Sequence, residues 1–518
     1  NKEFKIKKDS FPAQSYIIRL DQPYSRCADM LLDTQYFNPD DPRPYDDTGW
    51  TLGPLYNVPT VRVVDKEVLD VPMSLLTRDV KIAGAVVKAK KTIAYCVNNR
   101  AETALTKFRY DLEDIRMLAA ESGFKIGDTN FNAGTFIIPV ENNPEDLADR
   151  LVAAVQELGL TATATAKMPD VKTHAVSVPR IAILHTWVFT QNEGWFRIGL
   201  EKSGIPYSYI SVLDVRNTED LKSKYDVIIF PPVAFGRAQR LVNGIGGDEP
   251  IPWKKMDKYP NLGGPDSSDD IRGGIELEGI LHLKKFIDDG GLFIPITSNA
   301  GLPIDYGFVE SVAVIKPQNL KMSGSVLQAR ISDPRSPVTY GYDPSLGVYF
   351  SGTPVLETGM KAATGGVDIS DMFGGGGKGR PSGRGSLKDP DVIQGRPNTP
   401  TKVKGAGTGI PQEFQDMIKL FLPPDLQTVR VLVRFERKEK LLISGMLDGG
   451  EALQNKAAVV DVPMGKGHIL FFAINPMWRH QTLGSYPLLF NAALHYDHLD
   501  AGRPAKKAEE TEKEDQSN

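Results

Sequence analysis

The chain reads as an α/β protein. An N-terminal α+β and α/β region precedes a doubly wound parallel sheet with appended antiparallel strands. Two observations predict this. From Pro179 onward, short apolar runs alternate with helical patterns, the mark of strands buried on both faces with helices between them. The chain also has 518 residues, more than one ordinary core organises, so further units are expected before that layer.

The elements follow in chain order. Residues 1–90 carry strand-like runs at Ser15–Leu20 and Thr60–Val64. Between them, Tyr24–Thr34 reads as a short helix with Met30, Leu31 and Leu32 on its apolar side. Pro39–Trp50 (PDDPRPYDDTGW) is a Pro/Asp loop, since proline presets φ and aspartate favours Asx turns. Residues 91–175 form a small α/β unit with strands at Thr92–Val97 and Thr135–Val140. A helix follows, capped by Asn143, with Pro144 in its first turn and Leu147, Leu151, Val155 and Leu158 at helical spacing up to Gly159.

Residues 176–500 form the main layer. Its strands are Arg180–Leu184, Tyr207–Val212, Tyr225–Phe230 and Leu292–Thr297, with helices at Glu193–Lys202 and Leu277–Asp288. Gly467–Ile474 and a helix at Pro487–Leu499 return to it. Val326–Ile331, Arg430–Phe435, Leu441–Met446 and Ala457–Val462 read as the antiparallel extension. A Gly/Pro-rich insertion at 364–409 and a charged tail at 501–518 bury too little apolar surface to predict an ordered fold.

Composition narrows function. Net charge is −4, from 61 basic and 65 acidic residues, which gives no electrostatic case for nucleic acid as a partner. No apolar run approaches the roughly 20 residues of a membrane span. Cys27 and Cys96 can form one bridge at most, and sequence leaves their pairing open. None of the seven histidines begins an HxxE pair, and there is no HExxH, CxxC or GxxxxGK[ST]. No cofactor is expected in this chain. His495 and His498 are three apart and can share a helix face, near a C-terminus whose dipole favours them.

Ligands of an open parallel sheet sit at the carboxyl ends of its strands. Those ends carry His185, Pro231 and Thr297-Ser298-Asn299. A sharp elbow there would present Ser298 or Thr297 to solvent, with Ser298 as a hydrolase nucleophile beside His185 or His480. The ordinary reading is a strand-to-helix turn in which Ser298 or Asn299 caps the next helix. His185, Trp187, Gln191, Glu193, Trp195 and Arg197 form a dense aromatic and polar cluster. It reads either as a ligand crevice, because Trp and Arg anchor binding, or as a packed helix start. Asn475, Trp478, Arg479 and Gln481, with His480, follow the Gly467–Ile474 strand and are expected to form a second wall of the same crevice.

Several stretches carry a family resemblance. Arg19–Gly53 (RLDQPYSRCADMLLDTQYFNPDDPRPYDDTGWTLG) and the segment from His185 (HTWVFTQNEGWFRIGLEKSGIPYSYIS) resemble the region downstream of the catalytic domain in large bacterial zinc carboxypeptidase-like proteins. SKYDVIIFPPV from Ser223 and WRHQTLGSYPLLFNAAL from Trp478 are similar to the same proteins. The resemblance implies a flavodoxin-like, class I glutamine amidotransferase-like final domain. It also implies an extracytoplasmic setting and a zinc peptidase domain upstream as partner, with peptide as substrate. The family's zinc residues have no counterpart here, and Thr297-Ser298 stand where an amidotransferase would place its cysteine. The resemblance therefore implies a non-catalytic accessory region. A Ser298 hydrolase and a structural scaffold are the alternatives.

Overall fold

The computed structural model describes residues 2–42, 44–233, 238–359 and 428–503. The expected insertion at 364–409 and the tail from 504 lie outside the described residues.

The layer that positions the site is a twelve-stranded mixed sheet. Its parallel part runs in the order Ser208–Ser211, Ile181–His185, Val227–Phe230, Leu292–Pro295, Gly467–Phe472. The register sets Ile183 beside Tyr209 and Ile229, Ile229 beside Ile294, and Phe293 beside Ile469. Almost every residue of these strands is buried, as strands covered on both faces must be. Their unbroken β-branched and aromatic content is what made them legible as strands.

Helices Gln191–Lys202 and Glu276–Asp288 occupy the connections. The second ends at Gly290, whose φ of 102° suits glycine alone. Beside it, a Cβ on Gly291 would lie 2.3 Å from the Phe286 ring. The final helix, Tyr486–Leu494, stops five residues short of the expected Leu499. The chain leaves it at His495, whose ring turns inward to His174 and Tyr340.

Beyond Gly467–Phe472 the sheet turns antiparallel through Ala457–Met464, Arg430–Phe435, Ser325–Ile331 and Ser345–Phe350. Leu442–Ser444 pairs on the side of Ser325–Ile331.

A six-stranded sheet forms the earlier unit, ordered Thr173–Ala175, Leu118–Ala120, Phe136–Pro139, Ala94–Val97, Thr161–Thr165, Ala85–Val87. Helices Thr103–Asp111 and Leu147–Leu158 bury Leu105, Phe108, Leu147, Leu151 and Val155 against it. Leu494 of the final helix enters the same core. The Leu147–Leu158 helix starts later than expected. Asn143 does not cap it, because its side chain bonds Arg116 and Pro139 instead.

The N-terminal segment departs most from expectation. Ser15–Leu20 and Thr60–Val64 form neither strand nor helix, and Ser25–Leu32 is a helix with no buried residue. Ile18, Met30 and Val64 are exposed. Apolar content alone read as strand there, but among the described residues it pairs with no strand. Residues 48–55 are largely buried nonetheless. A Cβ on Gly49 would lie 2.3 Å from the Ser444 carbonyl oxygen, so only glycine allows this approach.

Cys27 is exposed and Cys96 buried, and both are free. Burial pushes the Cys96 thiol up to about 12. No described helix is long and apolar enough to cross a membrane.

Candidate functional site

The carboxyl ends of the parallel strands carry the candidate site. His185 closes the Ile181–His185 strand and is 3 % exposed. Its Nε2 lies 2.9 Å from Asp266 Oδ2 and its Nδ1 3.1 Å from the Thr186 carbonyl oxygen. The ring stacks on Tyr209 at 4.0 Å between centroids and meets Trp187 edge-on at 5.0 Å. The Tyr209 hydroxyl donates to Glu193 Oε1 at 2.7 Å, and the Arg197 guanidinium lies 4.7 Å from the Tyr209 ring centroid. Arg197 also donates to the Tyr207 hydroxyl, which donates in turn to Glu201.

Four residues of the first sequence cluster therefore meet: His185, Trp187, Glu193 and Arg197. Gln191 is exposed at the start of the helix, and Trp195 is half-buried.

Three polar atoms of this cluster are buried without a hydrogen-bond partner: Glu193 Oε2, Trp187 Nε1 and Trp195 Nε1. Such atoms are costly to leave unmade. Burial holds the Glu193 carboxyl above the ordinary glutamate range, against the pull of Tyr209 and Arg197. Thr186, Trp187 and Phe189 line one side of an adjoining cavity of about 270 Å³. Val212, Val233, Leu241, Ile245 and Ile271 supply most of the remainder.

The elbow after Leu292–Pro295 falls at the first of the two residues expected there. Thr297, not Ser298, takes the left-handed conformation, with φ 46°. A buried β-branched residue there is strained, and such strain gathers at functional sites. Ser298 Oγ donates to the Val233 carbonyl oxygen at 2.9 Å. Asn299 Nδ2 donates to the Pro231 carbonyl oxygen at 2.5 Å, pinning the end of the neighbouring strand, while its Oδ1 is buried without a partner. The expected pairing of Ser298 with a histidine is not formed. His185 is engaged by Asp266 and Thr186, and His480 Nδ1 lies 3.2 Å from the Tyr486 hydroxyl.

The expected second wall is elsewhere. Trp478 stacks on Tyr349 at 5.1 Å and donates its Nε1 to Asp47 Oδ2 at 2.7 Å. Tyr349 donates to the other Asp47 oxygen at 2.6 Å, and Arg479 binds Asp46 at 2.7 Å. Asn475 Oδ1 accepts from the Met477 backbone, and the Gln481 backbone bonds Trp478. This loop is the seat of the N-terminal segment and lines no part of the cavity.

Sequence reasoning missed Asp266, Tyr209 and Arg240, the last of which lines the cavity. Asp266 lies 81 residues from His185 in an irregular loop and carries no local signal. Tyr209 had one: it sits on the strand neighbouring His185, two residues before Ser211, which is paired with His185.

The histidines also gather across the two units. His174 Nε2 lies 3.1 Å from His495 Nδ1, and its ring lies 4.9 Å from that of His498, with Glu121, Asp497 and Tyr340 around them. Among the described residues, no group of three or more His, Cys, Asp or Glu side chains is arranged to hold a metal ion.

No protein-family model matches the chain, and no curated protein matches it. Among solved structures it is similar to a cytoplasmic protein from Salmonella typhimurium, at 10% identity and a TM-score of 0.28, over 61% of this chain and 98% of that one. It is also similar to β-galactosidases from Bacillus circulans sp. alkalophilus (11% identity, TM-score 0.27, 62% of this chain and 31% of that one) and Rahnella sp. R3 (10%, 0.27, 67% and 34%). Likenesses this distant carry no functional argument.

Proposed function

We propose that this chain is a non-catalytic, ligand-binding accessory module of a zinc carboxypeptidase-like protein. Its crevice, at the carboxyl ends of the parallel strands, engages peptide or a partner. Any zinc belongs to an upstream peptidase domain, and the extracytoplasmic setting goes with that family. The parallel strand order, 2-1-3-4-5 counted along the chain, supports the flavodoxin-like, amidotransferase-like reading of the domain.

One observation carries the proposal. Glu193 Oε2, Trp187 Nε1 and Trp195 Nε1 are buried, close along the chain and unpartnered, and Trp187 lines an apolar cavity. A packed helix start would satisfy or expel such atoms, whereas a binding site keeps them for a ligand.

The test is calorimetry with a mixture of short peptides, together with tryptophan fluorescence. Binding that Trp187→Phe weakens at unchanged melting temperature supports the proposal. No heat and no fluorescence change with the native chain would leave a scaffold.

A hydrolase is the second reading, favoured by the strained Thr297 at the elbow. Its test is covalent labelling by a fluorophosphonate. A mass increase on Thr297 or Ser298 would replace the accessory reading, and no labelling is expected.

A further inference from the structure

The cavity beside the His185 cluster has one feature that narrows its ligand. Its walls are mainly apolar: Trp187, Val212, Val233, Leu241 and Ile271 are buried around it. At about 270 Å³ it is nearly twice the roughly 150 Å³ cavity that accepts a benzene ring. That is room for one large apolar or aromatic side chain, and just below the roughly 300–1,000 Å³ of pockets for drug-sized ligands.

Among the described lining residues, Arg240 alone is charged. Arg240 is exposed at the rim, and its guanidinium makes no hydrogen bond or ion pair among the described residues. Several nearby carboxylates are engaged by other side chains. Arg216 pairs with Glu276 beside Gly273, Arg272 pairs with Asp270, and Asp266 faces His185. The mouth of the cavity thus holds an unneutralised, forked cation next to an apolar recess. A guanidinium suits a carboxylate because it can bind both oxygens at once.

Resting on the ligand-binding reading above, we propose that the cavity takes the apolar or aromatic side chain of a ligand whose carboxylate meets Arg240. A free arylalkanoic acid and a peptide ending in a large apolar residue share this chemistry.

The experiment uses the full chain and four probes: 3-phenylpropionate, 3-phenylpropionamide, Gly-Gly-Phe and Gly-Gly-Phe amide. Calorimetry gives each dissociation constant. The acids are expected to bind about ten-fold more tightly than their amides. Arg240→Gln is expected to abolish that preference and Arg240→Lys to keep part of it, both at unchanged melting temperature, because the side chain is exposed.

A tripeptide acid binding more tightly than phenylpropionate assigns the site to peptide C-termini, and the reverse order assigns it to free acids. Acids and amides binding equally, with Arg240→Gln unchanged, would overturn the carboxylate inference and leave the ligand-binding reading standing. Failure of all four probes, alongside binding of other peptides in the mixture, would overturn this inference alone. Failure of every peptide would remove both.

Discussion

Two loops rich in tryptophan, arginine and histidine follow two strands of the same parallel sheet, and they do opposite things. In 185–197, polar atoms are buried and left open: Glu193 Oε2 and two indole N–H groups have no partner. In 475–482, the indole of Trp478 and the guanidinium of Arg479 are satisfied by Asp47 and Asp46, from 431 and 433 residues away. The first loop borders a cavity, and the second closes over the N-terminal segment. Similar composition at similar topological positions therefore does not define a site. The difference lies in whether the polar groups find partners within the chain.

The largest expected effect comes from breaking the closed loop. Asp47→Ala removes the acceptor of both Trp478 and Tyr349 and a charge beside Arg479. It should cost about 3 kcal/mol in denaturant unfolding and leave ligand affinity at the cavity unchanged. A loss of affinity with intact folding would mean that the two loops form one site.

Next is acid. His174, His495 and His498 meet at the seam between the units, facing Glu121, Asp497, Tyr340 and, through Glu121, Lys172. Burial holds His174 and His495 below the ordinary histidine value. The folded state therefore binds fewer protons than the unfolded chain below about pH 6.5. Stability is complete above that pH and falls as pH drops toward the folded values, by at most about 1.4 kcal/mol per pH unit for each histidine. Melting temperatures at pH 7.5 and pH 5 check this, and His495→Leu should flatten the slope.

The two loops should also respond to charge with opposite signs. Burial raises the Glu193 value, so its contribution to stability is present below the ordinary glutamate range and is lost as pH rises through the folded value. Glu193→Gln should therefore stabilise the chain by about 1 kcal/mol at pH 7, with no gain at pH 4, while weakening binding in the crevice.

The Arg479 hydrogen bond lowers the Asp46 value, so its contribution is present above the ordinary aspartate range and is lost as pH falls. Asp46 is half exposed, so Asp46→Asn should cost under about 1 kcal/mol at pH 7, and less in high salt. Equal signs in the two pH profiles would erase the distinction between an open cluster and a closed one.

Legibility followed the length scale of the forces. Gly467–Phe472 was readable as a return to the parallel layer because an apolar run with aromatic and β-branched residues has few other places to go. Ser15–Leu20 had similar content and formed no strand, because pairing needs an edge that a run of residues cannot reveal. His185, Trp187, Glu193 and Arg197 were readable as a cluster because a strand end and the next helix bring them together. Asp266 and Arg240 were not, since each reaches the site from a different, later part of the chain.

By itself, the sequence determined the mixed α/β class and the buried parallel strands with the helices between them. These rest on local periodicity and on burying apolar runs. Tertiary structure alone decided which tryptophan loop stays open, that Thr297 takes the strained elbow, and that Arg240 stands at the cavity mouth. Those depend on which distant backbone passes close enough to satisfy a polar group, and no local pattern encodes that.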